Sequence, residues 1–274
     1  MRTSDRGHWD RFWTRGRKTR EIYDNAGRIT GEVARTMDVG GRTCLEVGAA
    51  TARDTASLAR AGAFAVALDY SPAALAIARA ECSGTGAVLV CGDAFRLPFR
   101  DGCFDLVFHQ GVLEHFREPG GLLRENVRVL ADDGLVLVDV PQTVHPYTIL
   151  KKLLIVLGAW FAGWETQYTR RSLEALLAAN GLEPRRAYGR FMSPSLAYRI
   201  LREALFRVGV RLPLHPVLIP PVHRLRARIR GAVEGSPLGP SLGYVVGVFA
   251  GKAEAPSAAH GGGEAGFKNQ GAVR

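Results

Sequence analysis

Apolar and polar positions along this chain fall into a repeating order: a short apolar run, a turn of small residues, then a stretch at helical spacing. Apolar runs sit at Thr43 to Val47, Phe64 to Tyr70, Ala87 to Cys91, Phe104 to Phe108 and Leu135 to Pro141, several of them holding an acid near the end. Each is short enough for a buried strand. Between them, Ala52 to Ala61, Ala73 to Ala80 and the set Leu122, Leu123, Val127 and Leu130 carry helical periodicity. Ser71-Pro72 is a helix start, with serine as N-cap and proline in the first turn. Ahead of the first strand, Ala26, Ile29, Val33 and Met37 mark an amphipathic helix stopped by Gly40-Gly41. Strands alternating with helices define an α/β domain with a largely parallel sheet covered on both faces.

The pattern then loosens. The stretch from Tyr147 to Trp164 is apolar nearly all round, with Lys151 and Lys152 inside it, and reads as a helix buried under a cap or lying in a membrane interface. Burial is the expectation adopted here. Thr169 is an N-cap ahead of a helix from Leu173 to Ala179, and Leu182 to Phe191 is a further strand. Leu196, Ile200, Leu201, Leu205 and Phe206 have helical spacing, but Pro213, Pro216, Pro220 and Pro221 are expected to break this region into short pieces. Gly243 to Ala250 is the last strand. The chain is expected to form one domain over 1–252, with an N-terminal helical lid at 1–40, cap insertions at about 142–168 and 192–241, and a disordered Ala/Gly-rich tail at 253–274.

The first turn carries the candidate chemistry. It reads Glu46-Val47-Gly48-Ala49-Ala50-Thr51-Ala52, and a second acid, Asp69, closes the next strand. An acid at that place can accept the hydroxyls of a ribose. A dinucleotide site wants G-x-G-x-x-G, whereas the frame beginning at Gly48 has one glycine of three, and no Gly-Lys-Ser/Thr of a P-loop follows. Glu46 would repel a pyrophosphate but can organise a site for an ammonium-bearing ligand through the turn.

These residues resemble the E-x-G-x-G-x-G turn of class I S-adenosylmethionine (SAM)-dependent methyltransferases of the small-molecule type, with Ala50 and Ala52 replacing the second and third glycines. Leu97-Pro98-Phe99, the acidic turn Asp101-Gly102, Phe104-Asp105 and Gly134-Leu135-Val136-Leu137-Val138 are similar to the family's later blocks, in the same order. The resemblance covers about 41–191 well and extends to 243–251. It implies a doubly wound, seven-stranded, mostly parallel sheet of the Rossmann-like methyltransferase fold with helical cap insertions, the last strand antiparallel. It also implies SAM as cofactor and methyl transfer as activity. Carried over residue by residue, Asp69 binds the ribose, Tyr70 packs on the adenine, and Asp93 with Ala94 meets the adenine edge. Gly48 and Ala50 approach the methionine part, Glu46 organises the turn, and Gln110 closes the fourth strand. Alanine at 50 and 52 fits where the backbone is not left-handed, but crowds the methionine half of the cofactor.

His109 and His115 are the candidate general bases if the acceptor is a hydroxyl; the competing reading is that the histidine of Glu114-His115 only orders its loop. Quinone-biosynthesis relatives that bind magnesium carry another acid where this chain has Gly111, so no metal is expected. In the N-terminal segment, Trp9, Phe12 and Trp13 share one helical face. That face either packs on the domain or closes over cofactor and acceptor with Tyr23.

The net charge of +10 over 274 residues is concentrated in the second insertion, where Arg199, Arg202, Arg207, Arg211, Arg224, Arg226, Arg228 and Arg230 face few acids. Sparse aromatics there argue against a nucleic-acid platform. A small-molecule or lipid-like acceptor, or peripheral contact with an anionic membrane, suits a basic, apolar cap. Cys44, Cys82, Cys91 and Cys103 lack metal or disulfide spacing, and no apolar leader precedes the charged N-terminus, so a reducing, cytoplasmic setting is expected. A protein that binds SAM or a lipid without turnover, its glycine turn degenerate, is the alternative.

Overall fold

A computed structural model of the chain describes residues 6–14, 27–158, 165–214, 216 and 220–253. Two helices, α1 (Arg6–Thr14) and α2 (Arg28–Ala34), precede the first strand. The alternating part follows as β1 (Thr43–Val47), α3 (Arg53–Arg60), β2 (Phe64–Asp69), α4 (Pro72–Glu81), β3 (Val88–Cys91), β4 (Phe104–Gln110), α5 (Gly120–Val129) and β5 (Leu130–Pro141). Then come α6 (Pro146–Val156), α7 (Arg170–Ala178), β6 (Leu182–Arg190), α8 (Leu196–Arg207), α9 (Pro220–Glu234), α10 (Gly239–Leu242) and β7 (Val245–Lys252).

The strands form one seven-stranded sheet in the order β3-β2-β1-β4-β5-β7-β6. β1 to β5 pair in parallel, while β7 runs antiparallel between β5 and β6. Chain order reverses between β1 and β4, and a doubly wound sheet opens its ligand crevice at the carboxyl ends there. Alternation along the strands explains the two covered faces. Leu45, Val107, Val136 and Val138 pack with Leu122 and Leu123 of α5 on one side. Cys44, Leu106, Phe108 and Leu137 pack with Ile29 and Val33 of α2 on the other.

The capping signals act as the sequence predicts. Ser71 Oγ accepts from the Ala74 amide at 3.3 Å, and Thr169 forms a reciprocal capping box with Ser172. Three expectations are corrected. The acidic, glycine-ended stretch Ala131-Asp132-Asp133-Gly134 has the sequence of a turn between α5 and an apolar strand, yet it extends β5. Pro213 and Pro216 fall in the break between α8 and α9, but Pro220 and Pro221 open a helix instead of breaking one: α9 runs for 15 residues with both in its first turn, where the missing N–H is no loss. Third, α6 is not buried all round, since Ile149, Leu153, Val156 and Leu157 are exposed while Lys151 is buried. Tyr23, Trp160, Trp164 and the tail from 254 onward lie outside the described residues.

Candidate functional site

A cavity of about 470 Å³ runs along the carboxyl edge of the sheet. Strand order dictates its lining. Asp93 follows β3, Asp69 and Tyr70 end β2, Gly48 and Ala50 follow β1, and Gln110 ends β4. Asp139 and Pro141 of β5 and Tyr244 before β7 close the far end. The sheet thus brings Gly48, Ala50, Asp69, Tyr70, Asp93, Ala94, Gln110 and His115 to one hollow.

Asp69 is the hub of the turn. Its Oδ2 accepts from the Ala50 amide at 2.7 Å and its Oδ1 from the Ser71 amide at 2.8 Å. Burial raises its carboxyl above the ordinary value, and these amides pull the other way. The Tyr70 amide bonds this carboxylate as well, and since a carboxylate offers about four acceptor sites, room for a ligand hydroxyl is left. Asp93 Oδ1 accepts from the Phe95 amide at 3.0 Å, which fixes the loop after β3. Gly48 is left-handed at φ 69, and a Cβ there would meet Val112 Cγ2 at 2.6 Å. The first glycine of the turn is therefore required twice, by conformation and by space.

Ala50 (φ 49) and Ala52 (φ 53) are left-handed too. The condition under which alanine fits without strain, a backbone that is not left-handed, is therefore not met at either position. The turn keeps the glycine-type path and carries alanine on it, at a cost of about 1–2 kcal/mol per residue. Ala52 is buried among Ala49, Ala56, Ala67 and Ala78, where a methyl helps to fill the space between α3 and α4; Ala50 borders the cavity.

Glu46 is placed behind the turn and is not among the residues lining the cavity. Its Oε2 accepts from the Thr55 amide at 3.0 Å and from the Thr55 hydroxyl, tying β1 to the first turn of α3. Burial, with Asp54 beside it, pushes its carboxyl up to about 8. Glu46 thus reaches the turn from behind and has no border on the cavity.

The two histidines part company. His109 is fully buried in β4, neither ring nitrogen has a hydrogen-bond partner, and it does not line the cavity. Burial lowers it to about 4. Its side chain lies within the sheet's packing and has no path to an acceptor, so its proposed role as a base is withdrawn. His115 does line the cavity, its ring edge-on to Trp9 with centroids 5.0 Å apart. Burial lowers this imidazole, too, to about 4. It is neutral near pH 7 and a weak proton acceptor.

Sequence reasoning missed the polar end of the cavity. Arg28 of α2 donates to Asp139 Oδ1 at 2.8 Å and to the Tyr244 hydroxyl at 2.6 Å, while the Tyr188 hydroxyl donates to Asp139 Oδ2 at 2.7 Å. Lys151 pairs with Glu165, both almost wholly buried. Glu114 sits in the 3-10 turn Leu113–His115, with its Oε2 buried and lacking a hydrogen-bond partner. Burial, then the charge of Glu165, raises the Glu114 carboxyl to about 8, while Lys151 opposes the rise. A lysine inside an apolar helix was the available signal, since a buried cation requires a partner. Trp9, Phe12 and Trp13 from α1 supply an aromatic wall, joined to the sheet where the Ser71 hydroxyl donates to Asp10.

The cavity lies within the size range of small-molecule sites. Its strand-tip acids, its aromatic wall and its tight Gly48 turn fit a nucleoside bearing an amino-acid tail.

Comparison with known proteins agrees. Residues 45–138 match the family described as "Methyltransferase domain". A demethylmenaquinone methyltransferase of Mycolicibacterium vanbaalenii is 36% identical over 129 residues, 47% of this chain and 48% of that protein. The chain spans about half the length, or less, of the curated relatives it matches. Among solved structures, a SAM-dependent methyltransferase from Thermotoga maritima superposes with a TM-score of 0.61 at 17% identity, covering 90% of this chain and 99% of its own. The 1,6-didemethyltoxoflavin-N1-methyltransferase of Burkholderia thailandensis, solved with S-adenosylhomocysteine, gives 0.57 at 16% identity, covering 91% and 87%. At such identities the structural likeness establishes the fold. Residues 45–138 therefore carry the sequence of a methyltransferase domain, on a fold shared with SAM-dependent methyltransferases of known structure.

Proposed function

We propose that this chain transfers a methyl group from SAM to a small, lipid-like acceptor of the quinol type. One observation carries the reading: the strand tips that suit adenosine and the buried polar group of Glu114, Lys151 and Glu165 border a single cavity. The demethylmenaquinone methyltransferases among its relatives point to the acceptor class. Bound SAM supplies an electrophilic methyl on a sulfonium.

The residues divide the remaining tasks. Asp69 and Asp93 hold the nucleoside, and the Gly48–Ala50 turn receives the amino-acid tail. Trp9, Phe12 and Tyr147 exclude water and pack on an apolar acceptor. The acceptor loses one proton as it gains the methyl. Glu114 is better matched to take that proton than His115, because a carboxyl near 8 is a stronger base than an imidazole near 4 and a general base works best close to ambient pH.

The test is turnover of labelled SAM with a panel of prenylated naphthoquinols, short-chain phenols and small amines. Labelled quinol and S-adenosylhomocysteine are expected with the first group. Tight SAM binding with no product anywhere in the panel would favour a non-catalytic binding protein, a reading to which the left-handed Ala50 at the cavity wall lends some support.

A further inference from the structure

The cap helix α6 is inside out. Tyr147 and Lys151 line the cavity, Lys151 paired there with the buried Glu165, and Thr148 is fully buried. Apart from Lys152, the helix's outward positions are aliphatic: Ile149 is 60% exposed, Leu153 56% and Val156 82%, and Leu157 just past its end 68%. A helix on a water-facing surface carries the reverse pattern. Apolar exposure of this density marks an interaction site rather than ordinary surface.

The neighbouring insertion repeats the theme and adds charge. Ile200, Leu201 and Phe206 of α8 and Leu225 and Ile229 of α9 are exposed as well. Between residues 196 and 230 the sequence carries eight arginines against one acid, Glu203. Arg207, Arg224, Arg226 and Arg228 are exposed. Topology puts these helices on one edge. α6 leaves the carboxyl end of β5, α8 leaves that of β6, and α9 and α10 return to β7, whose Val245 pairs with Pro141. The Gln142 side chain donates to the Ser241 carbonyl at 2.6 Å, joining the start of one cap to the end of the other.

From these observations we infer that the outward face of α6, with the arginine-bearing α8 and α9, docks on the surface of an anionic lipid bilayer. The charge selects this occupant. A second copy of the chain would set arginines against arginines, whereas anionic headgroups accept them and the acyl boundary accepts the aliphatics. Among the described residues no helix is long and apolar enough to cross a membrane, which makes this a surface contact. The same helix borders the cavity, so the bilayer lies against the wall of the methyl-acceptor site. The surface is a property of the cap and does not depend on which acceptor is methylated.

The experiment is co-sedimentation of the full chain with vesicles of phosphatidylcholine alone and of phosphatidylcholine mixed with phosphatidylglycerol. Binding is expected only with the anionic mixture, weakening steeply as salt rises. L153D/V156D, which changes two exposed side chains, is expected to abolish it. R224S/R226S/R228S is expected to weaken it about a hundredfold. Retained SAM affinity, measured by calorimetry, shows that each variant has folded. Wild-type chain left in the supernatant, equal binding to neutral vesicles, or undiminished binding by folded L153D/V156D would overturn the inference. So would self-association in sedimentation that is lost in L153D/V156D, which would assign the face to a second copy. Vesicle binding without turnover on any acceptor would leave this inference standing and refute the methyl-transfer reading instead.

Discussion

The backbone amide of Ala50 donates to the Asp69 carboxylate at 2.7 Å, so the turn after β1 and the acid at the tip of β2 form one unit. One side chain holds the left-handed turn and faces the cavity. Changes at either residue are felt at the other.

Asp69→Ala should therefore weaken SAM binding and loosen the turn together. Losing charge-assisted hydrogen bonds to a ribose corresponds to about 1.5–3 kcal/mol, or about ten- to a hundredfold in affinity. Calorimetry with SAM checks the first effect and thermal unfolding of the unliganded chain the second. Unchanged affinity would remove Asp69 from the cofactor site.

The two left-handed alanines should respond differently to glycine. Ala50→Gly relieves strain at the cavity wall and is expected to stabilise the chain by about 0.5–1 kcal/mol and to tighten SAM binding. Ala52→Gly relieves similar strain but deletes a buried methyl, about 0.8 kcal/mol, so it should be close to neutral. Denaturant unfolding of both variants measures the difference.

Turnover should depend on the protonation of Glu114. Its carboxyl near 8 is mostly neutral at pH 7, and a base must be ionised, so the rate is expected to rise through pH 8 and level off above it. The groups that set this value are Glu165, Lys151 and Asp139. Glu114→Gln should lose that rise and most of kcat while SAM affinity stays within about twofold. A pH–rate profile of both proteins, with product detected by mass, decides.

His109 makes folding sensitive to acid. Its value falls from 6.5 in the open chain to about 4 when folded, so the unfolded chain binds more protons between these limits. Stability is intact above pH 6.5 and declines as pH falls toward 4, by about 3 kcal/mol for this group. His109→Leu should remove that part of the slope and leave stability at pH 8 little changed. Urea unfolding at several pH values tests it.

The sheet and the strand-tip residues were legible in the sequence because a parallel strand is short, apolar and bounded by turn residues, and its last position faces the crevice. Asp69 follows from that rule, whereas Tyr70 and Asp93, which lie just past their strands, needed the family resemblance. Glu46 shows its limit: a residue at a strand end points into the turn or into the cavity according to the pleat, and a single sequence does not reveal which. His109 fails for the same reason, being one position too early in β4. The polar end of the cavity was hidden because Arg28, Asp139, Lys151 and Glu165 come from four separate segments, and only tertiary contact pairs them. The prolines before α9 misled because the same residue that breaks a helix interior opens a helix at its first turn.

The setting of α6 has a mechanical consequence. Neighbouring residues on a helix differ by about 100° of azimuth, so rolling α6 by one position would put Leu150 or Lys152 where Lys151 now meets Glu165. Buried charge on one side and exposed aliphatics on the other fix its roll angle from both directions. Whatever wets or dries the outer side of this helix therefore bears on where Tyr147 points.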